Sequence, residues 1–466
     1  AVWSSSGKWV RPRRKHHRLR EGYGYYARSE CSGLPMRKVW AYVGAANYEK
    51  PQDVSALPKP VLEYTEGQGN QAAPKAGTAT MKKVAITHID CFAGPGGTCT
   101  GFKAAGITTV LAIEKVQSCV ETYSANHPKV PVICKDIREV TAEEIRRHVS
   151  VGVDIVSSGM PCETFSTAGS TSRSFYDHRQ FLFTEAIRIA NIVDARLILF
   201  ENVPAIRTKR TEKGGDRLII DEIAEQLRHS GYANQVSTIL NAADFGIPQI
   251  RRRFFLLAAK VPSLLLAVPA RAPNGKVTVE MAIGDLPPLG DSRRRLASES
   301  GTQNAYLDRL KDAAFWKLKA DGSGAVTYHV APKHRPGTVD RFKLIKQGEG
   351  LKDLFDKFTP AEIAELQKKR ILPKRWYIQR NRRLRPGEPS FTVTSHCLDE
   401  NIHPTSNRAL TVREVARLQS FPDSYDFKGG PIICPHNSED QDKYEQIGDA
   451  LPPLLAYEWA LTIRSI

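Results

Sequence analysis

The stretch "IDCFAGPGGTCTGF", residues 89–102, decides how the rest of the chain is read. An apolar run ends there as a strand would, at Asp90, and Gly94, Gly96 and Gly97 follow before a helical pattern begins. Glycines at such a turn let the backbone approach a ligand closely, and the N-terminus of the next helix offers free N–H groups to it. The following strand-like run, "TTVLAIE", ends at Glu114, 20 residues after Gly94. An acid at that distance is where a ribose-binding carboxylate belongs in nucleotide-binding α/β folds. A third run, "VPVICKDI", ends with Asp136. Acids at three successive strand ends beside a Gly-rich turn describe an adenosyl pocket, unless they only cap the helices that follow. The glycine pattern is not a full G-x-G-x-x-G, which leaves a nicotinamide oxidoreductase as a rival.

Two further strand ends discriminate. "VDIVSSGM" delivers Pro161 and Cys162, and "RLILFENV" delivers Glu201 and Asn202. Taken singly, Cys162 reads as an idle buried thiol and Asn202 as a turn former. Together with the adenosyl pocket they present a thiol and a carboxylic acid on one sheet edge, a pair that hydride transfer does not use. Methyl transfer to an electron-poor pyrimidine carbon does use it. A thiolate adds to carbon 6 of cytosine, carbon 5 gains nucleophilic character, and an acid near the ring nitrogen takes up the developing charge.

Outward from these turns, strands alternate with amphipathic helices from residue 82 to about 270, which predicts an α/β fold with a mostly parallel sheet. Residues 271–404 lose this rhythm and are rich in Pro, Gly and Arg, so a second, irregular domain is expected there. From about 405 a helix, "LTVREVARLQSFP", and then "IGDALPPLLAYEWALTIR", a loop with a Pro-Pro helix start, return to the first domain. Residues 1–80 lack a steady apolar period and read as a basic, flexible extension.

The 466 residues carry a net charge of +17, of which +9 falls within residues 271–404. A localised basic excess suggests a polyanion-binding face, although a solvated basic surface would look the same. The stretch "RILPKRWYIQRNRRLRPGEPSFTVTSH" interleaves aromatics with arginines there. No run approaches the roughly 18 apolar residues of a membrane span. The eight scattered cysteines form no C-x-x-C pair, which argues for reduced thiols in an intracellular protein and against a zinc ribbon. Cys434 with His436, or His396 and Cys397 with His403, lack a second ligand pair, so no metal is expected.

The motifs in order resemble those of the DNA (cytosine-5) methyltransferases: "DCFAGPGG", "GMPCETFS", "ENV", "QIRRR" at 249–253, "RALTVREVARLQSFPD" and "QIGDALPP". The resemblance covers residues 84–260 and 405–461. It implies a Rossmann-like S-adenosylmethionine-dependent methyltransferase sheet, built from 82–270 and 405–466, with 271–404 as a smaller target-recognition domain. It implies Cys162 as nucleophile after Pro161, Glu201 as the acid on the ring nitrogen, and Asn202 as a fixer of the active-site backbone. Arg251 and Arg253 would orient the base and the nucleophile loop. Asp90, Phe92, Ala93, Gly94, Gly96, Gly97, Lys115 and Ile137 would surround the donor, with Glu114 at the ribose hydroxyls and Asp136 at the adenine amino group. Leu182 would be an apolar donor contact, or simply helix core, and Asp449 and Ala450 would close the pocket. Double-stranded DNA is the implied partner, with a restriction partner possible, flipping of the base and action as a monomer. The site of action would be cytoplasm or nucleoid in a prokaryote and the nucleus in a eukaryote. A transfer-RNA cytosine methyltransferase and a non-catalytic DNA-binding paralogue stay open. Glu163 and Asp449 depart from the family's usual Gln and Asn. The polar loop after Cys162, residues 163–180, has the composition of a mobile lid.

Overall fold

The computed structural model describes residues 85–149, 152–161, 181–211, 215–271, 275–287, 289, 304–319, 326–433 and 440–466, and two short strands near its beginning. Those strands, Val2–Trp3 and Trp9–Val10, pair antiparallel within a unit, Ala1–Ala79, separate from Thr80–Ile466. The rest of the expected basic extension lies outside the described residues, as does the 163–180 loop.

The second unit is built on a seven-stranded sheet. Its strands are β1 (Thr87–Cys91), β2 (Thr108–Glu114), β3 (Val132–Cys134), β4 (Ile155–Ser158), β5 (Leu197–Asn202), β6 (Asn234–Asn241) and β7 (Arg252–Ala259). Side by side they run β3-β2-β1-β4-β5-β7-β6. The first five are parallel, because helical crossovers join them: α1 (Gly97–Ala104), α2 (Gln117–Asn126), α3 (Ala142–His148) and α4 (Phe183–Ile192). α5 (Ile219–His229) leads from β5 to β6. β7 is antiparallel to both β5 and β6. The reason is local: a single helical turn, Ala242–Phe245, replaces a crossover helix, and a short connection can only reverse the chain. Strand order reverses between β1 and β4, which is where open α/β sheets bind ligands at the carboxyl ends of their strands.

Alternation along each strand divides the core into two layers. Ile155, Leu199, Phe255 and Leu257 pack with α1, with residues between Val277 and Trp316, and with the C-terminal helix Pro453–Ser465. Ile89, Val156, Ile198 and Phe200 pack with α3, α4 and α5 on the other side. In α5 Ile219, Ile223 and Leu227 face inward, while acids in its first turn and Arg228 and His229 in its last complement the helix dipole. α1 can approach the C-terminal helix closely only because of its glycines. A Cβ on Gly101 would stand 2.3 Å from the Pro453 carbonyl oxygen.

Val412, Val415 and Leu418, with Leu455, Trp459 and Ile463 near the C-terminus, pack in the same core as Leu199 and Phe255 of the sheet. The helix Val412–Leu418 carries a capping box of Thr411 and Glu414. The predicted loop at 447–452 starts later than expected, because helix Lys443–Asp449 runs through Ile447 and Gly448. Its capping box, Asp442 with Glu445, is visible in the sequence as D-x-x-E. Phe342, Ile345, Leu351, Leu354, Leu372 and Ile402 form a small core of their own. Among the described residues no helix is long and apolar enough to cross a membrane.

Candidate active site

The turn after β1 is held in a conformation that few residues tolerate. Phe92, Gly94 and Gly96 have φ of 60°, 53° and 98°. Ala93 N donates to the Ile113 carbonyl at 3.1 Å, and Gly94 N to Glu114 Oε2 at 2.9 Å, which straps the turn to β2. Glu114 Oε1 accepts from the amides of Lys115 and Val116, both at 2.8 Å. Burial raises the Glu114 pKa, and these three N–H donors oppose the rise. Asp136 caps the turn Ile137–Glu139 and pairs with Arg138 at 2.7 Å. The Arg138 hydrogen bonds hold its pKa down, at about 2, against slight burial, so it is ionised at neutral pH.

These residues open onto a cleft of about 760 Å³ at the carboxyl ends of the strands. Phe92, Ala93, Gly94, Gly97, Glu114, Lys115, Asp136, Ile137, Leu182, Asp449 and Ala450 line it, as do Pro161, Glu201 and Arg253. These expected donor and base residues share one cavity. Gly97 is required by closeness: its Cβ would lie 2.2 Å from the Leu451 carbonyl oxygen. Asp449 is tied to the wall by Gln441 Nε2 at 3.1 Å.

Four expected site residues sit behind the lining. Gly96 caps α1, and a Cβ there would meet Tyr425 Oη at 2.8 Å. Asp90 is buried under the turn with Ser157 Oγ donating to it at 2.8 Å. Burial pushes its pKa up to about 7, against the Ser157 hydrogen bond. Asn202 donates to the Met160 carbonyl at 3.2 Å and accepts from Val203 N at 2.8 Å, so it fixes the backbone immediately before Pro161. Arg251 is fully buried and donates to the carbonyls of Val393 at 2.6 Å, Gly448 at 2.9 Å and Ala450 at 3.1 Å. It clamps the backbone behind the cleft and does not face into it.

Glu201 and Arg253 form the polar end of the cavity, with Arg253 Nε 2.9 Å from Glu201 Oε1. Burial raises the Glu201 pKa, and the charges of Arg253 and Arg251 pull it back. β5 and β7 bring this pair together, since Glu201 lies opposite Phe255 and Arg253 is the second residue of β7. Cys162 and Glu163 lie outside the described residues, and the structure reaches Pro161.

Several supports were missed from sequence. Gln249, first residue of "QIRRR", donates to Gln419 Oε1 at 2.5 Å and accepts from Val393 N at 2.8 Å. Gln419 in turn holds the carbonyls of Ile447 at 3.0 Å and Ala450 at 2.7 Å. Tyr425 Oη donates to the Pro95 carbonyl and so props the Gly-rich turn. Side chains that serve distant backbone carry no local pattern, and only the motif context of Gln249 and Gln419 hinted at a role.

The basic stretch of 370–396 divides in two. Lys374, Arg375, Trp376, Tyr377, Ile378, Gln379 and Arg380 are exposed, and Tyr377, Gln379 and Arg380 reach the cleft mouth. Arg383 is buried and donates to the carbonyls of Ile345, Phe342, His403 and Ser406, a structural clamp. Among the described residues no group of His, Cys, Asp and Glu could hold a metal ion.

Comparisons with known proteins agree with this arrangement. The family model "C-5 cytosine-specific DNA methylase" matches residues 86–465. The type II methyltransferase M.DdeI of Desulfomicrobium norvegicum is 34% identical over 375 residues, covering 79% of this chain and 86% of the relative. M1.HphI of Haemophilus parahaemolyticus, also a type II methyltransferase, is 31% identical, covering 80% of this chain and 85% of its own. In fold, the chain is similar to a crystal structure described as a prophage-encoded DNA modification methyltransferase of E. coli, with a TM-score of 0.61 at 23% identity over 82% of this chain and 99% of that one. With a family match spanning the whole sheet and relatives of this identity, the chain belongs to the C-5 cytosine-specific DNA methylases and is a methyltransferase enzyme.

Proposed function

We propose that the chain methylates carbon 5 of cytosine in duplex DNA, with S-adenosylmethionine as donor, acting as a monomer on a base rotated out of the stack. The observation that carries this is the single cleft in which Glu201 and Arg253 stand beside Pro161 and the Gly94–Glu114 turn. The cleft suits the donor. Glu114 oxygens keep acceptor positions for ribose hydroxyls, Phe92 and Leu182 give apolar surface, and a Cβ at Gly94 would meet nothing within 4 Å, so the turn is open to a ligand. When bound, the donor supplies an electrophilic methyl group on a sulfonium.

The chain's residues do the rest. The Cys162 sulfur bonds to carbon 6 while Glu201 gives a hydrogen bond or proton to ring nitrogen 3. Carbon 5 then takes the methyl group. Loss of the carbon 5 proton to water and elimination of the thiolate restore the aromatic ring. A raised Glu201 pKa favours the protonated carboxyl this step needs. Asn202, by holding the Met160 carbonyl, sets the direction in which the chain enters Cys162. Asp136, Ile137 and Lys115 would surround the adenosine, and Asp449 and Ala450 would close over it. Residues 271–404 would supply target recognition, with the exposed Lys374 and Arg375 on phosphates. Relatives named as type II methyltransferases favour a modification role beside a restriction enzyme.

The test is covalent trapping on duplex DNA containing 5-fluorocytosine, where fluorine cannot leave as a proton would. A donor-dependent adduct that Cys162→Ser abolishes is expected. No adduct on any cytosine-containing duplex, or methyl transfer to transfer RNA alone, would overturn the reading.

A further inference from the structure

Arg380 lines the cleft, yet no step of the methyl transfer uses it. Its backbone is pinned. Asn381, the next residue, has φ 52°, a left-handed conformation that asparagine tolerates better than most residues. Asn381 N and Nδ2 both donate to the Asp399 carbonyl, at 3.0 and 2.7 Å. Arg380 N donates to the Tyr377 carbonyl at 3.1 Å, and the Arg380 carbonyl accepts from Leu351 N at 3.1 Å. The side chain is held too. Asp399 Oδ2 lies 3.2 Å from Arg380 Nη2, and the guanidinium carbon is 5.7 Å from the centroid of the Tyr377 ring. Asp399 thus grips this residue twice, by its carbonyl through Asn381 and by its carboxylate. Even so, 48% of the Arg380 side chain is exposed. A guanidinium has five N–H donors, so the pair with Asp399 leaves others for a ligand.

Charge and direction say which ligand. The Asp399 carboxylate offsets the charge of this guanidinium and would repel a second anion, so a phosphate is a poor partner. A phosphate contact needs charge, whereas a base edge needs a fork fixed in direction. Guanine offers two acceptors, O6 and N7, at the spacing that an arginine fork meets with two hydrogen bonds. Position says which guanine. Thr392 Oγ donates to the Ile250 carbonyl at 2.7 Å, just ahead of β7, whose Arg253 stands at the base end of the cleft. Thr394 Oγ donates to Glu400 Oε2 at 2.9 Å, which fastens the neighbour of Asp399 to the same segment. Arg380, Asp399, Thr392, Arg253 and Glu201 all line the one cleft of about 760 Å³. A cavity of that size takes one ligand or two. A duplex lying over it therefore brings only the bases nearest the cytosine to Arg380, at about 3.4 Å per step.

We propose that Arg380 is a specificity-determining residue, donating to O6 and N7 of a guanine within about two base steps of the target cytosine, and that Asp399 is the positioning residue that aims it. The proposal rests on the reading of the cleft as the place where a cytosine of duplex DNA is methylated.

The experiment compares methylation by the full chain and its variants on duplexes randomised around the target cytosine, read by bisulfite sequencing. The unaltered chain should prefer guanine at a position within those two steps. Arg380→Ala should lower that preference about 5- to 150-fold and leave the preferences at other positions in place. The slope of log affinity against log salt should not change. A phosphate contact would instead weaken all sequences alike and take about 1 from the slope. Arg380→Lys keeps the charge without the fork, so it should lose most of the guanine preference; rescue by lysine overturns the proposal. Replacing that guanine with 7-deazaguanine, which lacks the N7 acceptor, should slow the unaltered chain and not Arg380→Ala. Asp399→Asn should lower the same preference in part. A preference that survives Arg380→Ala, or falls evenly at every position, overturns the proposal. Failure of the unaltered chain to methylate any duplex would instead overturn the reading of the cleft.

Discussion

At the scale of single residues, Glu201 and Asp90 show how burial sets a carboxyl's protonation. Both are raised by desolvation, but only Glu201 has cationic partners, Arg253 and Arg251, to pull it back. Glu201→Gln keeps a hydrogen-bond donor and removes the acid. It is expected to lower kcat by about 10²–10⁴ while donor affinity holds, as single-turnover kinetics and titration would show. Asp90 makes a prediction about stability. Its folded pKa, about 7, exceeds the ordinary carboxyl value of 3.8. The folded state therefore holds the proton more tightly, and stability is fully present below about pH 4 and lost as pH rises through 7. Asp90→Asn has no such loss. Its melting temperature relative to the parent should climb between pH 4 and pH 8, corresponding to at most about 4 kcal/mol. A constant difference across that range would rule out the ionisation.

At the scale of elements, the donor cleft depends on short helices with strong ends. Asp442→Ala removes the cap of Lys443–Asp449 and should cost about 1 kcal/mol in chemical unfolding. Because Asp449 and Ala450 line the cleft at that helix's far end, the donor KM should rise with it. Most of this architecture was legible in the sequence. Each of the first five strands falls within a run whose apolar length and turn residues marked it, and Glu114, which ends β2, was found by its spacing from the Gly-rich turn. The reversal of β7 was not legible, because a strand's direction is set by the length of its connection and leaves no mark on its own pattern. Arg251 was expected to orient the base and the nucleophile loop and is found clamping the carbonyls of Val393, Gly448 and Ala450; a charged side chain in a motif does not announce whether it binds a ligand or three carbonyls.

At the scale of the whole molecule, charge and connectivity govern behaviour. The net +17 and the exposed Lys374 and Arg375, close in sequence to the cleft-lining Tyr377, predict salt-sensitive DNA binding. The double variant Lys374→Ala/Arg375→Ala should flatten the slope of log affinity against log salt by about 2, measured by fluorescence anisotropy on duplex DNA, with donor binding unchanged. An unchanged slope would place the phosphate path elsewhere. Connectivity has a different consequence. α1, among the first elements of this unit, is seated against Pro453–Ser465, and Arg464 donates to the Ala105 carbonyl across 359 residues of chain. Tyr425 reaches the Pro95 carbonyl across 330. During synthesis the Gly-rich turn thus waits for partners that the ribosome makes hundreds of residues later. Contacts so distant in sequence form slowly, since the loop must close before it is rewarded. The cleft is therefore complete only once the last helix of this unit has been made, and its assembly is timed by translation itself.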